Sequence, residues 1–146
     1  MRKIVLVALL ILTCAIATQA FGQNEGFQPV TSDMLANPPP GDWLMINRTY
    51  DEQRFSPLTK ITADNAKQLG LAWFADLDTN RGQEATPLVI DGVMYVSTAW
   101  SLVKAYDAAS GKLLWSYDPQ VPRELGVKGC CDVVSRGVAA WNGKIY

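Results

Sequence analysis

The sequence predicts an all-β fold of repeated four-stranded units, a β-propeller of which only the first blades are present. Two observations carry this. Short apolar runs at 88–90 and 93–96 flank Asp91-Gly92, and further runs at 102–106 and 112–117 flank a polar turn ending in Ser110-Gly111. That is an antiparallel meander, because Asp-Gly supplies the positive φ that a two-residue hairpin turn needs. The plan then begins again: Val138 to Tyr146 repeats it around Asn142-Gly143, about 50 residues on, and the tryptophans Trp73 and Trp115 recur about 40 residues apart. A generic β-meander shares the hairpins, while the recurrence favours blades. The chain stops in the second strand of the second copy, so a truncated propeller is expected, poorly stable alone because repeat units bury their faces against neighbours.

Residues 1–20 read as a secretory signal. Arg2 and Lys3 precede an apolar run interrupted only by Thr13 and Cys14, and Thr18-Gln19-Ala20 offers a cleavage site after Ala20. The run is short for a membrane span, which makes a retained anchor the weaker alternative. An acylated Cys14 is weaker still, since it lies inside the run. The mature domain is then 21–146. Residues 21–40 form a polar lead-in ending in Pro38-Pro39-Pro40, which forbids helix. A short helix is expected over 62–69, with Thr62 as N-cap and Gly70 as stop, followed by a first apolar strand over 71–75.

Composition removes several classes of function. The 146 residues are 49% hydrophobic and 18% charged, suited to a globular core, and the net charge of −1 carries no basic stripe for nucleic acid. With no histidine, histidine metal sites and Ser-His or Cys-His pairs are excluded within these residues. Of three cysteines, Cys14 leaves with the signal, and Cys130 and Cys131 stand side by side in a chain bound for an oxidising compartment. Two buried thiols, or cysteines paired with others elsewhere, remain open readings of the residues themselves.

The segment from Ala105 to Trp115 makes the chemistry more specific. Asp107 can bond turn N–H groups, Gly111 can take positive φ, and Trp115 offers a broad flat face. This segment resembles the tryptophan-docking motif of the pyrroloquinoline quinone (PQQ) dependent dehydrogenases, with Ser110 where threonine is usual. Gly41-Asp42-Trp43, the run from Arg48 to Leu58, and Arg81-Gly82-Gln83-Glu84-Ala85-Thr86-Pro87 are similar to the quinoprotein alcohol dehydrogenases. Residues 44–47 depart from the more polar, glycine-ending stretch usual there. Gly129-Cys130-Cys131-Asp132-Val133-Val134-Ser135-Arg136-Gly137 resembles that family's signature of adjacent cysteines followed by arginine.

The resemblance implies an eight-bladed propeller when complete, with PQQ near its axis. It implies a Cys130–Cys131 disulfide lying against the quinone plane, Arg136 contacting the cofactor, and Glu84 hydrogen-bonding its rim. A guanidinium fork suits the three carboxylates of PQQ. Without this context, Arg136 reads as a surface cation and Glu84 as a solvated loop acid; Trp100 reads as a core aromatic. The implied reaction is oxidation of primary or secondary alcohols, with electrons passed to a cytochrome c in the periplasm. Ca²⁺, or a lanthanide, would be held by residues beyond Tyr146, as would the catalytic base, so no catalytic or metal-binding residue is expected within this chain. Residues 83–87 and 119–126 are most similar to the quinohaemoprotein branch, which implies a haem c domain further on. A non-catalytic quinoprotein-like scaffold of outer-membrane assembly is the alternative; it has no need of Cys130, Cys131 or Arg136. A membrane-bound PQQ sugar dehydrogenase ranks third, because it should carry several spans before the propeller.

Overall fold

The structure is a computed structural model and describes residues 29–146; the signal expected over residues 1–20 lies outside them. Four strands, β1 (Leu88–Ile90), β2 (Val93–Ser97), β3 (Val103–Asp107) and β4 (Leu113–Tyr117), form one antiparallel sheet in chain order. A short strand β5 (Cys130–Val133) follows, and then β6 (Ala140–Trp141) and β7 (Lys144–Ile145) pair as a second, two-stranded sheet. The meander and its restart therefore form as the pattern predicts. Both hairpins turn on consecutive residues of positive φ: Asp91 (48°) and Gly92 (75°), then Asn142 (43°) and Gly143 (76°). This is the mirror-image turn that matches strand twist.

The expected helix over 62–69 shrinks to a 3₁₀ turn, Ala66–Gln68. Asn65 is the reason. Its Oδ1 accepts from the Thr62 backbone N–H at 2.7 Å and its Nδ2 donates to the Lys60 carbonyl at 2.9 Å, local bonds that compete with a helical ladder. The strand expected over 71–75 does not form either. Leu71 and Phe74 are exposed, and among the described residues no strand pairs with this run. The lead-in is more ordered at its end than expected. Thr31 caps α1 (Ser32–Ala36) through its side chain, with Asp33 in the first turn where the helix dipole favours an acid. Val30 is fully buried, and its carbonyl accepts from the Asn142 N–H at 3.0 Å.

The core is small: Val30, Leu44, Leu88, Ile90, Tyr95, Ala105 and Ala140 pack together. Trp43 extends the sheet beyond β1, exchanging both backbone bonds with Val89 at 2.8 and 2.9 Å. The Asp42 carboxylate accepts from the Asp91 N–H at 3.0 Å and fixes the first hairpin. By contrast, Leu113, Leu114, Trp115 and Tyr117 of β4 remain exposed. A cleft of about 620 Å³ separates β4 from β7, lined by Trp115, Tyr117, Val138 and Ile145 among others.

Asp107 organises the turn between β3 and β4. Its Oδ1 accepts from the Ser110 hydroxyl at 2.6 Å and the Ser110 N–H at 2.7 Å. These bonds, the hydroxyl's first, hold its carboxyl below the usual carboxylate range. The stability it contributes is present above the unfolded pKa of about 4 and is lost as pH falls through the lower folded value. Acid titration of an Asp107→Asn variant should lack that loss, seen as a smaller drop in melting temperature below about pH 4.

Trp73 lies across the same turn. Its indole N–H donates to the Ala108 carbonyl at 3.1 Å, and the ring covers Gly111 so closely that a Cβ there would sit 2.5 Å from Trp73 Cδ2. Gly111 also has φ +73°. Alanine at 111 should therefore destabilise the fold by about 1–3 kcal/mol, through left-handed strain and overlap together. Denaturant unfolding of the Gly111→Ala variant checks this; an unchanged midpoint would show that Trp73 does not dock there.

Candidate functional site

Two segments distant in sequence meet beside the start of β1. The loop carrying Arg81 and Glu84 faces β5 and the residues after it, and two ion pairs of opposite polarity join them. Arg81 Nη1 reaches Asp132 Oδ1 at 3.0 Å, and Arg136 Nε reaches Glu84 Oε2 at 3.1 Å. Gly82 helps the approach, since a Cβ there would only just clear Val134 Cγ1, at 3.4 Å. Both pairs are substantially exposed, with the Arg136 side chain 71% and Glu84 47% accessible. Exposed pairs of this kind contribute about 0–1 kcal/mol, so their value lies in placing groups rather than in stability.

Cys130 and Cys131 open β5 between these pairs. Both are exposed and unjoined in this structure, with their sulfurs 2.7 Å apart. Beside Cys131, the Arg136 charge favours the thiolate and the Glu84 charge opposes it. The Arg136 guanidinium is itself driven further toward its charged form, first by the hydrogen bond to Glu84 and then by its charge. Asp132 follows within β5 with φ +67°, uncommon for a residue with a side chain.

All four residues singled out from the sequence, Glu84, Cys130, Cys131 and Arg136, are therefore gathered in one place. They present an exposed surface of one cation, one acid and two sulfur atoms. A planar anion suits it: the guanidinium can donate to a carboxylate, and the sulfurs offer a polarizable surface beside it. The described residues hold no cluster of three or more His, Cys, Asp or Glu that could bind a metal ion.

Other contributors were not singled out from the sequence. Arg81 and Asp132 form the second ion pair, and Ser135 Oγ donates to Ser97 Oγ at 2.9 Å, tying the stretch before Arg136 to the end of β2. Trp100 is not an ordinary core aromatic. It has φ +65°, lies under the Arg123 guanidinium at 4.2 Å, and faces Gly126 in the 3₁₀ segment Arg123–Lys128 that leads into β5.

Comparison with known proteins identifies the family of the fold. Residues 43–145 match the family described as "PQQ: Glucose/ethanol/alcohol dehydrogenase, beta-propeller domain". The chain is 65% identical over 107 residues to the dehydrogenase subunit of a quinone alcohol dehydrogenase from Komagataeibacter europaeus, covering 73% of this chain and 14% of that one. It is 56% identical over 105 residues to a quinohemoprotein alcohol dehydrogenase from Comamonas testosteroni, covering 72% and 15%. The crystal structure of the quinohemoprotein alcohol dehydrogenase from Comamonas testosteroni superposes with a TM-score of 0.75 at 53% identity, over 80% of this chain and 18% of that one. A europium-containing methanol dehydrogenase superposes at 0.69 with 38% identity, over 77% and 20%. The chain thus spans a small fraction of the length of its relatives. Sheet order, hairpin repeat, and a match running from Trp43 almost to the last residue lead to one conclusion: the chain belongs to the PQQ-dependent glucose/ethanol/alcohol dehydrogenase β-propeller family.

Proposed function

We propose that this chain is the N-terminal part of a periplasmic, PQQ-dependent alcohol dehydrogenase, and that it supplies one wall of the cofactor site. The juxtaposition of Glu84, Cys130, Cys131 and Arg136 carries this reading. PQQ, when bound, supplies the oxidised quinone that accepts a hydride from the alcohol carbon. The protein's own residues do the holding. Arg136 donates to a cofactor carboxylate, and Glu84 fixes the guanidinium plane while reaching the cofactor rim. Cys130 and Cys131, joined as a disulfide in the exported protein, cover one face and exclude water from it.

The remaining parts lie in sequence beyond Tyr146. There we place the base, the Ca²⁺ or lanthanide ligands and, on the resemblance to quinohemoproteins, a haem c domain, with a cytochrome c as acceptor. The apolar surface of β4 suits a neighbouring blade, since a blade buries such a surface against the next one. Residues 1–20 serve as the export signal, so the mature protein should begin at or near Phe21 when its N-terminus is sequenced.

The function is tested in the complete protein, reconstituted with PQQ and Ca²⁺ and assayed by dye reduction. Primary or secondary alcohols should reduce the dye only when PQQ is present. Oxidation of aldoses in their place would move the chain to the sugar-oxidising branch. Tight folding with no PQQ-dependent turnover would favour the scaffold.

A further inference from the structure

Trp100 and Ser101 are consecutive left-handed residues, with φ 65° and 58°, in a turn closed by the Thr98 N–H to Leu102 carbonyl bond of 2.8 Å. A bulky aromatic seldom adopts such a backbone, and persists there only where its surroundings demand it. Here the surroundings are the segment that carries the cysteines. The Arg123 guanidinium stacks on the indole at 4.2 Å. Gly126 meets the far edge of the ring: a Cβ there would lie 2.8 Å from Trp100 Cη2 and 3.0 Å from Val133 Cγ1. Gly126 is thus held between Trp100 and Val133, the last residue of the strand that begins at Cys130. On the other side of the cysteines, Ser97 at the end of β2 holds Ser135, next to Arg136.

We propose that Trp100 is a positioning residue: with Arg123 and Gly126 it clamps the segment 123–133 and so sets where Cys130 and Cys131 stand relative to Arg136 and Glu84. The inference rests on the reading of that cluster as a cofactor wall, but the clamp acts without cofactor and is tested without it. Trp100→Leu removes the flat face from one side. Gly126→Ala forces the segment away from an intact Trp100, and serves alone if the first variant fails to fold. Trp100→Phe keeps a face and should restore behaviour close to the parent.

Two readouts are taken on the complete, cofactor-free protein, well below its melting temperature. The first is tryptic cleavage after Lys128, which reports local opening and should rise about fivefold in Trp100→Leu and Gly126→Ala, the equivalent of losing one cation–π contact. The second is the pH profile of Cys131 alkylation in a Cys130→Ser background, where Arg136, Glu84, Arg81 and Asp132 are the charged groups nearby. Arg136→Gln should shift that profile upward in the parent and leave it unchanged when Trp100 is leucine, because the thiol no longer stands beside residue 136. A cleavage rate that stays at the parental value, or an Arg136→Gln shift that survives in both clamp variants, overturns the proposal. Failure of the protein to bind PQQ would remove the cofactor reading and leave these two results standing.

Discussion

Replacing Arg136 by alanine in the complete protein should weaken PQQ affinity by about 1.5–3 kcal/mol, the range for a hydrogen bond to a charged group, or roughly 10- to 150-fold. The structure explains why the loss should appear in binding rather than folding. The guanidinium is largely exposed and its ion pair with Glu84 is solvated, so the melting temperature should hardly move. Glu84→Gln should have a smaller effect in the same direction, because it removes the charge that orients Arg136 while leaving the cation. Equilibrium titration of the apoprotein with PQQ measures both. Unchanged affinity in the two variants would remove these residues from the cofactor wall.

The second large effect concerns the cysteines. The Cys130→Ala, Cys131→Ala double variant should lose most dye-linked alcohol oxidation while keeping its melting temperature. A disulfide that staples a long loop contributes roughly 2–5 kcal/mol to a small domain. A bond between neighbours closes no intervening residues, so little unfolded-state entropy is removed and little stability should be lost with it. Both side chains are exposed, so no core cavity opens when they are shortened. Peptide mapping without reductant should find the two cysteines joined to each other. Free thiols in the exported protein, or a variant that melts early while its folded fraction oxidises alcohols normally, would show that the pair serves another purpose.

Much of this molecule was legible in its residues because the signals were local. Asp91-Gly92 and Asn142-Gly143 dictate their turns through backbone φ alone, and both hairpins formed where those pairs stand. The motif around Asp107 and Gly111 was legible for the same reason, whereas the covering of that glycine by Trp73 was not. Trp115 packs on Tyr95, with ring centroids 5.8 Å apart. The run 71–75 misled because apolar composition shows that a segment wants a neighbour, not that one is paired with it. The helix over 62–69 misled because a single asparagine, Asn65, offered the backbone other bonds. Glu84, Cys130, Cys131 and Arg136 were singled out through resemblance, and the fold brings them together. Arg81, Asp132 and Trp100 were not, since an exposed ion pair across 51 positions and a left-handed tryptophan leave no mark in the sequence itself.

If Cys130, Cys131, Glu84 and Arg136 form a surface on which PQQ lies, the bound cofactor should shield the cysteines. The complete protein is mildly reduced, and alkylation of Cys130 and Cys131 is followed by mass spectrometry with and without saturating PQQ. Bound PQQ should slow modification of both cysteines by about tenfold or more, because the occupied state withholds the thiols from reagent. Full PQQ occupancy with alkylation as fast as in the cofactor-free protein would contradict it.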